Sequence, residues 1–63
     1  MIPNIISELQ AIHIAESLVE GSVVEMVFDK GDGQYVYEIE LKTDNGIVEV
    51  VVDAITGDVL RYY

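Results

Sequence analysis

The hydrophobic pattern of this sequence changes its period at Gly21, and this change limits the folds open to the chain. Before Gly21, apolar residues recur at the spacing of one helix face, which comprises Ala11, Ile12, Ile14, Ala15, Leu18 and Val19. After Gly21, apolar and polar residues alternate, as they do in strands that bury one face. We predict an α+β fold in which one N-terminal helix packs on a three- to four-stranded antiparallel β-meander, a single domain over residues 1–63.

Capping residues mark both ends of the predicted helix. Ser7 and Gln10 have the spacing of a capping box, in which each side chain satisfies a backbone N–H of the other residue. We therefore expect Ser7 to be the N-cap. We expect Gly21 to end the helix as its left-handed residue, since glycine adopts that conformation without strain.

Turn signals divide the second part of the chain into strands. Residues 30–33 are rich in glycine and predict a first turn. Asn45 and Gly46 predict a two-residue hairpin loop. That loop would pair Thr43 with Val48, Leu41 with Val50, and Ile39 with Val52 on one face of the sheet. On the other face it would place Lys42 opposite the oppositely charged Glu49.

The last turn precedes a short fourth strand at residues 59–63. The Asp53 carboxylate can accept a hydrogen bond from the backbone N–H two residues later in the chain. Gly57 stands where a left-handed residue is needed. The pattern of residues 59–63 does not decide which of their side chains face the core.

The charge of the chain excludes several kinds of partner. Its net charge is −9, and only Lys30, Lys42 and Arg61 are basic. Nucleic-acid binding needs clustered basic residues, so neither nucleic acid nor an anionic membrane is an expected partner. No apolar segment is long enough to insert into a membrane. A basic protein would be attracted, although an acidic surface also serves solubility.

No group of residues predicts catalysis. His13 is the single histidine and lies on the polar side of the helix, where it has no convergent partner. Counted from Asp29, the glycine-rich turn lacks the EF-hand pattern, because Gly31 and Gly33 occupy positions that require oxygen-bearing side chains. We therefore expect no enzyme activity, no cofactor and no metal site.

The outward face of the predicted sheet is the candidate surface for contact with another protein. Its first strand, residues 23–28, would be a sheet edge with unpaired backbone groups, open to a second copy or to a different partner. Glu25 would face another glutamate, Glu38 or Glu40. The residues expected on this contact surface are Val23, Glu25, Val27, Val36 and Val51.

The order of these elements resembles the PepSY domain, the peptidase-propeptide and sporulation-protein module. The resemblance is carried by residues 6–11, by Ile14 and Ala15, by Gly21 with residues 23–25, by residues 37–40, and above all by VDAITGDVL at residues 52–60. That last segment is similar to the family's terminal Asp-Ala-x-Thr-Gly-x-Val-Leu signature.

The resemblance implies a non-catalytic, protein-binding or regulatory module that inhibits a protease or assists its folding. It also implies an extracytoplasmic or cell-envelope setting, although no signal peptide is visible at Met1 and no protease is attached. The expected partner is then a protease or the rest of a larger envelope protein. The alternative is a structural, self-associating domain, such as a homodimer, without a regulated protease target.

Overall fold

The computed structural model describes residues 4–31 and 33–63, and it confirms the predicted α+β architecture. Helix α1 (Glu8–Leu18) precedes four strands in an antiparallel sheet whose spatial order follows the chain, β1-β2-β3-β4. The helix packs on one face of the sheet, here called the inner face; the opposite face is called the outer face. The strands are β1 (Ser22–Gly31), β2 (Gln34–Thr43), β3 (Gly46–Asp53) and β4 (Val59–Tyr62).

The start of α1 has the predicted capping box. The backbone N–H of Gln10 donates to Ser7 Oγ at 3.1 Å, and the backbone N–H of Ser7 donates to Gln10 Oε1 at 2.8 Å. Each bond satisfies a donor that the first turn of a helix leaves unpaired. The helix therefore begins where local sequence chemistry predicts.

The predicted role of Gly21 at the helix end is wrong. The helix ends at Leu18, and its C-cap Val19 is extended, with φ −126° and ψ 126°. Gly21 is not among the glycines with positive φ. Its importance is a close approach instead, because a Cβ at this position would lie 2.6 Å from the backbone oxygen of Lys42. Gly21 thus lets the chain enter β1 tightly against β2.

The core lies between α1 and the inner face, and small residues on the helix bring the two layers together. Ala11 and Ala15 are fully buried against sheet residues. Leu18, predicted on the buried side of the helix, is instead exposed, because it lies in the last helical turn at the margin of the core. The sheet side of the core consists of Tyr37, Ile39, Leu41, Val50 and Val52, and Ala54 adds to it from the turn after β3.

A bulge in β1 reverses the predicted direction of its first residues. The pairing with β2 shifts between Val23 and Glu25 and leaves Val24 unpaired. Val23, expected to face outward, lies opposite the buried Leu41 and packs against the core. Val24, expected to face inward, is exposed. From Glu25 to the end of β1 the alternation follows the prediction again.

The second hairpin is displaced by two residues from the predicted register. Asp44 and Asn45 form the loop, and Thr43 pairs with Gly46. The Thr43 hydroxyl closes this turn, since it donates to the backbone oxygen of Gly46 at 2.7 Å and accepts from the Asn45 N–H at 3.1 Å. The observed pairs replace the predicted ones and include Leu41–Val48, Ile39–Val50, Lys42–Ile47 and Glu40–Glu49.

The turn between β3 and β4 has the predicted chemistry. Asp53 Oδ1 accepts from the N–H groups of Ile55 at 2.7 Å and Thr56 at 3.0 Å. Gly57 has φ 83°, and its N–H donates to the Asp53 backbone oxygen at 2.8 Å. By contrast, the turn predicted at residues 30–33 includes Asp32, which lies outside the described residues.

Candidate functional site: the outer face and the β1 edge

The outer face carries a row of three glutamates that runs across the sheet. Glu25 on β1 lies opposite Glu40 on β2, and Glu40 lies opposite Glu49 on β3. This set is called the acidic row. The expectation that Glu25 faces another glutamate is therefore confirmed. Lys42 flanks the row on the same face, two residues along β2 from Glu40. Like charges directly opposed across strands are unfavourable, so the row is a source of local repulsion.

The neighbouring row contains apolar side chains between polar ones. Val27 on β1, Glu38 on β2, Val51 on β3 and Arg61 on β4 lie side by side. Val51 is only 1% exposed although α1 packs on the opposite face. It lies between Glu38 and Arg61, and the methylene groups of such long side chains can cover a neighbouring apolar group while the charge stays in water.

The five residues of the predicted contact surface occupy different environments. Glu25 is exposed and Val27 is 43% exposed, and these two are adjacent outer-face positions on β1. Val36 and Val51 also face outward but are 9% and 1% exposed. Val23 faces the core because of the bulge. The outward surface that solvent reaches from this set is therefore Glu25 and Val27, at the sheet edge.

A polar groove crosses the outer face near the end of the first hairpin. Asp29, Val36, Glu38 and Arg61 are among the residues that line it. Asp53 lies opposite Val36 in the same row of the outer face as Asp29. Its carboxylate accepts the hydrogen bonds that hold the last turn. The N–H groups of Thr56 and then Ile55 hold the pKa of the Asp53 carboxyl below its ordinary value. Asp53 is thus occupied by a structural role.

An aromatic cluster marks the inner face of the first hairpin beyond the start of the helix. The rings of Phe28 and Tyr35 are stacked with centroids 5.8 Å apart, and Phe28 also contacts Tyr37 at 5.3 Å. Lys30 Nζ lies 5.4 Å from the centroid of the Tyr35 ring. Alternation predicts the shared face of these aromatic residues. It does not predict that Phe28 remains about half exposed.

Tyr37 joins this cluster to the segment before the helix. Its hydroxyl donates to the backbone oxygen of Ile6 at 2.9 Å. Burial raises the pKa of that hydroxyl, and the carboxylate of Glu8 adds to the increase. The tyrosine therefore stays neutral and able to donate this bond well into alkaline conditions.

The described residues offer little other chemistry. His13 is exposed on α1. Within residues 4–31 and 33–63, no three His, Cys, Asp or Glu side chains are grouped so as to hold a metal ion. In the same part of the chain, no helix has the length and apolar character needed to cross a membrane.

The helix and the four-stranded meander together define a small α+β module. Its sequence matches the family described as the peptidase propeptide and YPEB domain, over residues 5–63. The chain belongs to this PepSY family. Members of this family are generally non-catalytic, propeptide-type modules.

A solved structure supports the same fold. The chain is similar to "a putative lipoprotein" from Clostridium difficile 630, with 28% identity and a TM-score of 0.90. The alignment covers all of this chain and 41% of that one, so the chain spans about two fifths of the length of that protein. A comparison with curated proteins finds no match.

Proposed function

We propose that this domain binds another protein and regulates it, and that the partner is a protease whose activity or folding the domain modulates. The observation that carries the proposal is the family match over residues 5–63, which spans the helix and all four strands. Proteins of this family often interact with partners such as proteases. The proposal therefore assigns partner binding to the complete fold and not to a short segment of it.

The contact surface we propose is the exposed part of the outer face at β1, centred on Glu25 and Val27. Val27 offers an apolar patch beside charged neighbours, and β1 offers the backbone groups of a sheet edge. Val36 and Val51 support this surface from within, since both are almost buried. The solved relative's description as a lipoprotein supports a partner in the cell envelope.

The test is an inhibition and refolding assay with a thermolysin-type metalloprotease. The domain is added to the mature protease with a chromogenic peptide substrate, and separately to the denatured protease during refolding. We expect a lower hydrolysis rate in the first assay or a higher yield of active protease in the second. No effect in either assay would overturn the protease proposal.

A matched pair of variants tests the surface. Val27→Lys places a charge at the proposed contact, while Leu9→Lys makes the same change at an exposed apolar residue on α1. We expect Val27→Lys to weaken the effect on the protease and Leu9→Lys to preserve it, with both variants folded by circular dichroism. Equal loss in the two variants would remove the outer face as the contact surface.

A further inference from the structure

The long edge of the sheet is β1, and within residues 4–31 and 33–63 the only strand that pairs with β1 is β2. β1 has ten residues and is the first strand in the sheet order, whereas β4 at the opposite edge has four. In an edge strand, every second residue directs its N–H and C=O away from the sheet. The bulge lies at the start of β1, so residues 25–31 pair one-to-one with β2. This regular stretch is long enough to form a full ladder with an added strand.

The side chains along this stretch alternate between acidic and apolar on the outer face. Glu25, Val27 and Asp29 occupy successive outer-face positions, and all three are exposed. Glu25 is also the outermost member of the acidic row, with Glu40 as its cross-strand neighbour. A strand added beside β1 would place its own side chains about 4.5–5.5 Å from these positions, measured between Cβ atoms.

We propose that the β1 edge accepts an extended segment of a partner protein whose outer-face residues alternate basic, apolar, basic. Lysine or arginine opposite Glu25 and Asp29 would give opposite-charge pairs, and an apolar residue opposite Val27 would cover that side chain. A basic residue beside Glu25 would also offset the repulsion within the acidic row. This proposal deepens the proposed function by specifying how the partner binds. It rests on that function in one respect, since both require a protein partner.

A second copy of this chain suits the edge less well. An antiparallel pair of β1 strands centred on Val27 would place Glu25 of one copy opposite Asp29 of the other, twice by symmetry. Each copy also carries a net charge of −9. Charge complementarity therefore selects a basic segment rather than this acidic chain as the occupant.

The probe is a short synthetic peptide, acetylated and amidated, with the sequence Thr-Lys-Thr-Val-Thr-Lys-Thr. Its binding to the ¹⁵N-labelled domain is followed by NMR chemical shifts and amide hydrogen exchange. We expect shifts along residues 25–31 and slower exchange at alternate amides of β1, because added backbone hydrogen bonds protect every second residue. In one control peptide both lysines are replaced by glutamate, and in a second the two threonines beside valine are replaced by proline. Neither control should slow the exchange of β1 amides.

Two protein variants separate local pairing from overall charge. Glu25→Lys and Glu16→Lys change the net charge equally, but Glu16 is exposed on α1. We expect Glu25→Lys to weaken peptide binding on the order of 10-fold, and Glu16→Lys to change it far less. Raising the salt from about 20 mM to about 300 mM should weaken the wild-type complex.

Three outcomes would overturn the strand-addition proposal. They are equal weakening by the two variants, binding without protection of β1 amides, and self-association of the domain through β1 in light scattering and exchange. These outcomes are distinguishable from failure of the proposed function. A domain that modulates a protease but does not protect β1 with the basic peptide retains its regulatory role and loses this docking mode.

Discussion

The adjacent residues Val50 and Val51 are almost equally buried on opposite faces of the sheet, and they reach that burial in different ways. Val50 is 0% exposed and belongs to the core beneath α1. Val51 is 1% exposed but faces outward between Glu38 and Arg61. The helix layer covers the inner face, whereas Val51 lies between two long charged residues on the outer face, whose methylene groups can cover it. Equal burial therefore does not mean equal packing.

The largest expected effect comes from truncating these two valines. Val50→Ala should destabilise the domain by about 2–4 kcal/mol, because a cavity remains between the helix and the sheet. Val51→Ala should cost about 1–2 kcal/mol, since the long side chains beside it can relax into the space. Urea unfolding measures both values. An equal cost would show that the outer face is packed as rigidly as the core.

The second prediction concerns the turn that brings β4 alongside β3. Gly57→Val should destabilise by about 1–2 kcal/mol, because φ 83° is strained for a residue with a Cβ. The nearest atom to that Cβ would be Ile14 Cδ1 at 3.6 Å, so backbone strain rather than a clash is the cause.

Gly31→Ala is the control for this turn. Gly31 lacks a positive φ, and a Cβ there would meet only Asp29 Oδ2 at 3.9 Å. We expect its melting temperature to stay close to that of the wild type. A melting temperature as low as that of Gly57→Val would show that any glycine replacement is harmful.

The third prediction tests the repulsion between the glutamates of the acidic row on the outer face. Glu40→Gln removes the central charge of the acidic row and should stabilise the domain by about 0.2–1 kcal/mol. The gain should shrink as salt is added, because ions screen exposed charges. Glu16→Gln on α1 removes a charge outside the row and should have a smaller effect. Chemical unfolding at low and high salt provides the comparison, and a destabilised Glu40→Gln would contradict it.

The smallest effect concerns the pH dependence of the last turn. The lowered pKa of Asp53 means that the folded state binds its proton less tightly than the unfolded state. Its contribution to stability is therefore present above the ordinary pKa of an aspartate, about 4, and is lost as the pH falls through the folded-state value. Asp53→Asn should flatten the decline in melting temperature at acidic pH. An unchanged pH profile would mean that the carboxylate contributes nothing there.

Features fixed by neighbouring residues are predictable from this sequence. The Ser7–Gln10 capping box and the Asp53 turn both depend on side chains that reach backbone groups within three residues. The α+β class is predictable for a related reason, since one change of period separates the helix from the strands. Both sets of hydrogen bonds join groups that are close in the sequence, so the local residue order is enough to predict them.

Features that depend on a choice between similar pairings are not predictable in this way. A shift of two residues in the second hairpin keeps every side chain on the same face, so alternation cannot distinguish the two registers. The Thr43 hydroxyl, with its bonds to Asn45 and Gly46, favours the observed one. The bulge at Val24 leaves no periodic signal, because Val23 and Val24 are both apolar and either could be assigned to the inner face. The spacing within β3 does not predict the burial of Val51, because its neighbours Glu38 and Arg61 lie on two other strands.

The position of α1 in this meander has a consequence for the order of folding during synthesis. Each strand pairs with the strand beside it in the sequence, so the hairpins can form as soon as their residues are made. The helix is made first, yet its segment bonds through the Ile6 N–H to the backbone oxygen of Ala54 at 2.8 Å, near the other end of the chain. During translation the helix therefore waits for almost the whole domain to emerge. Until then its apolar face stays open to chaperones and to neighbouring nascent chains.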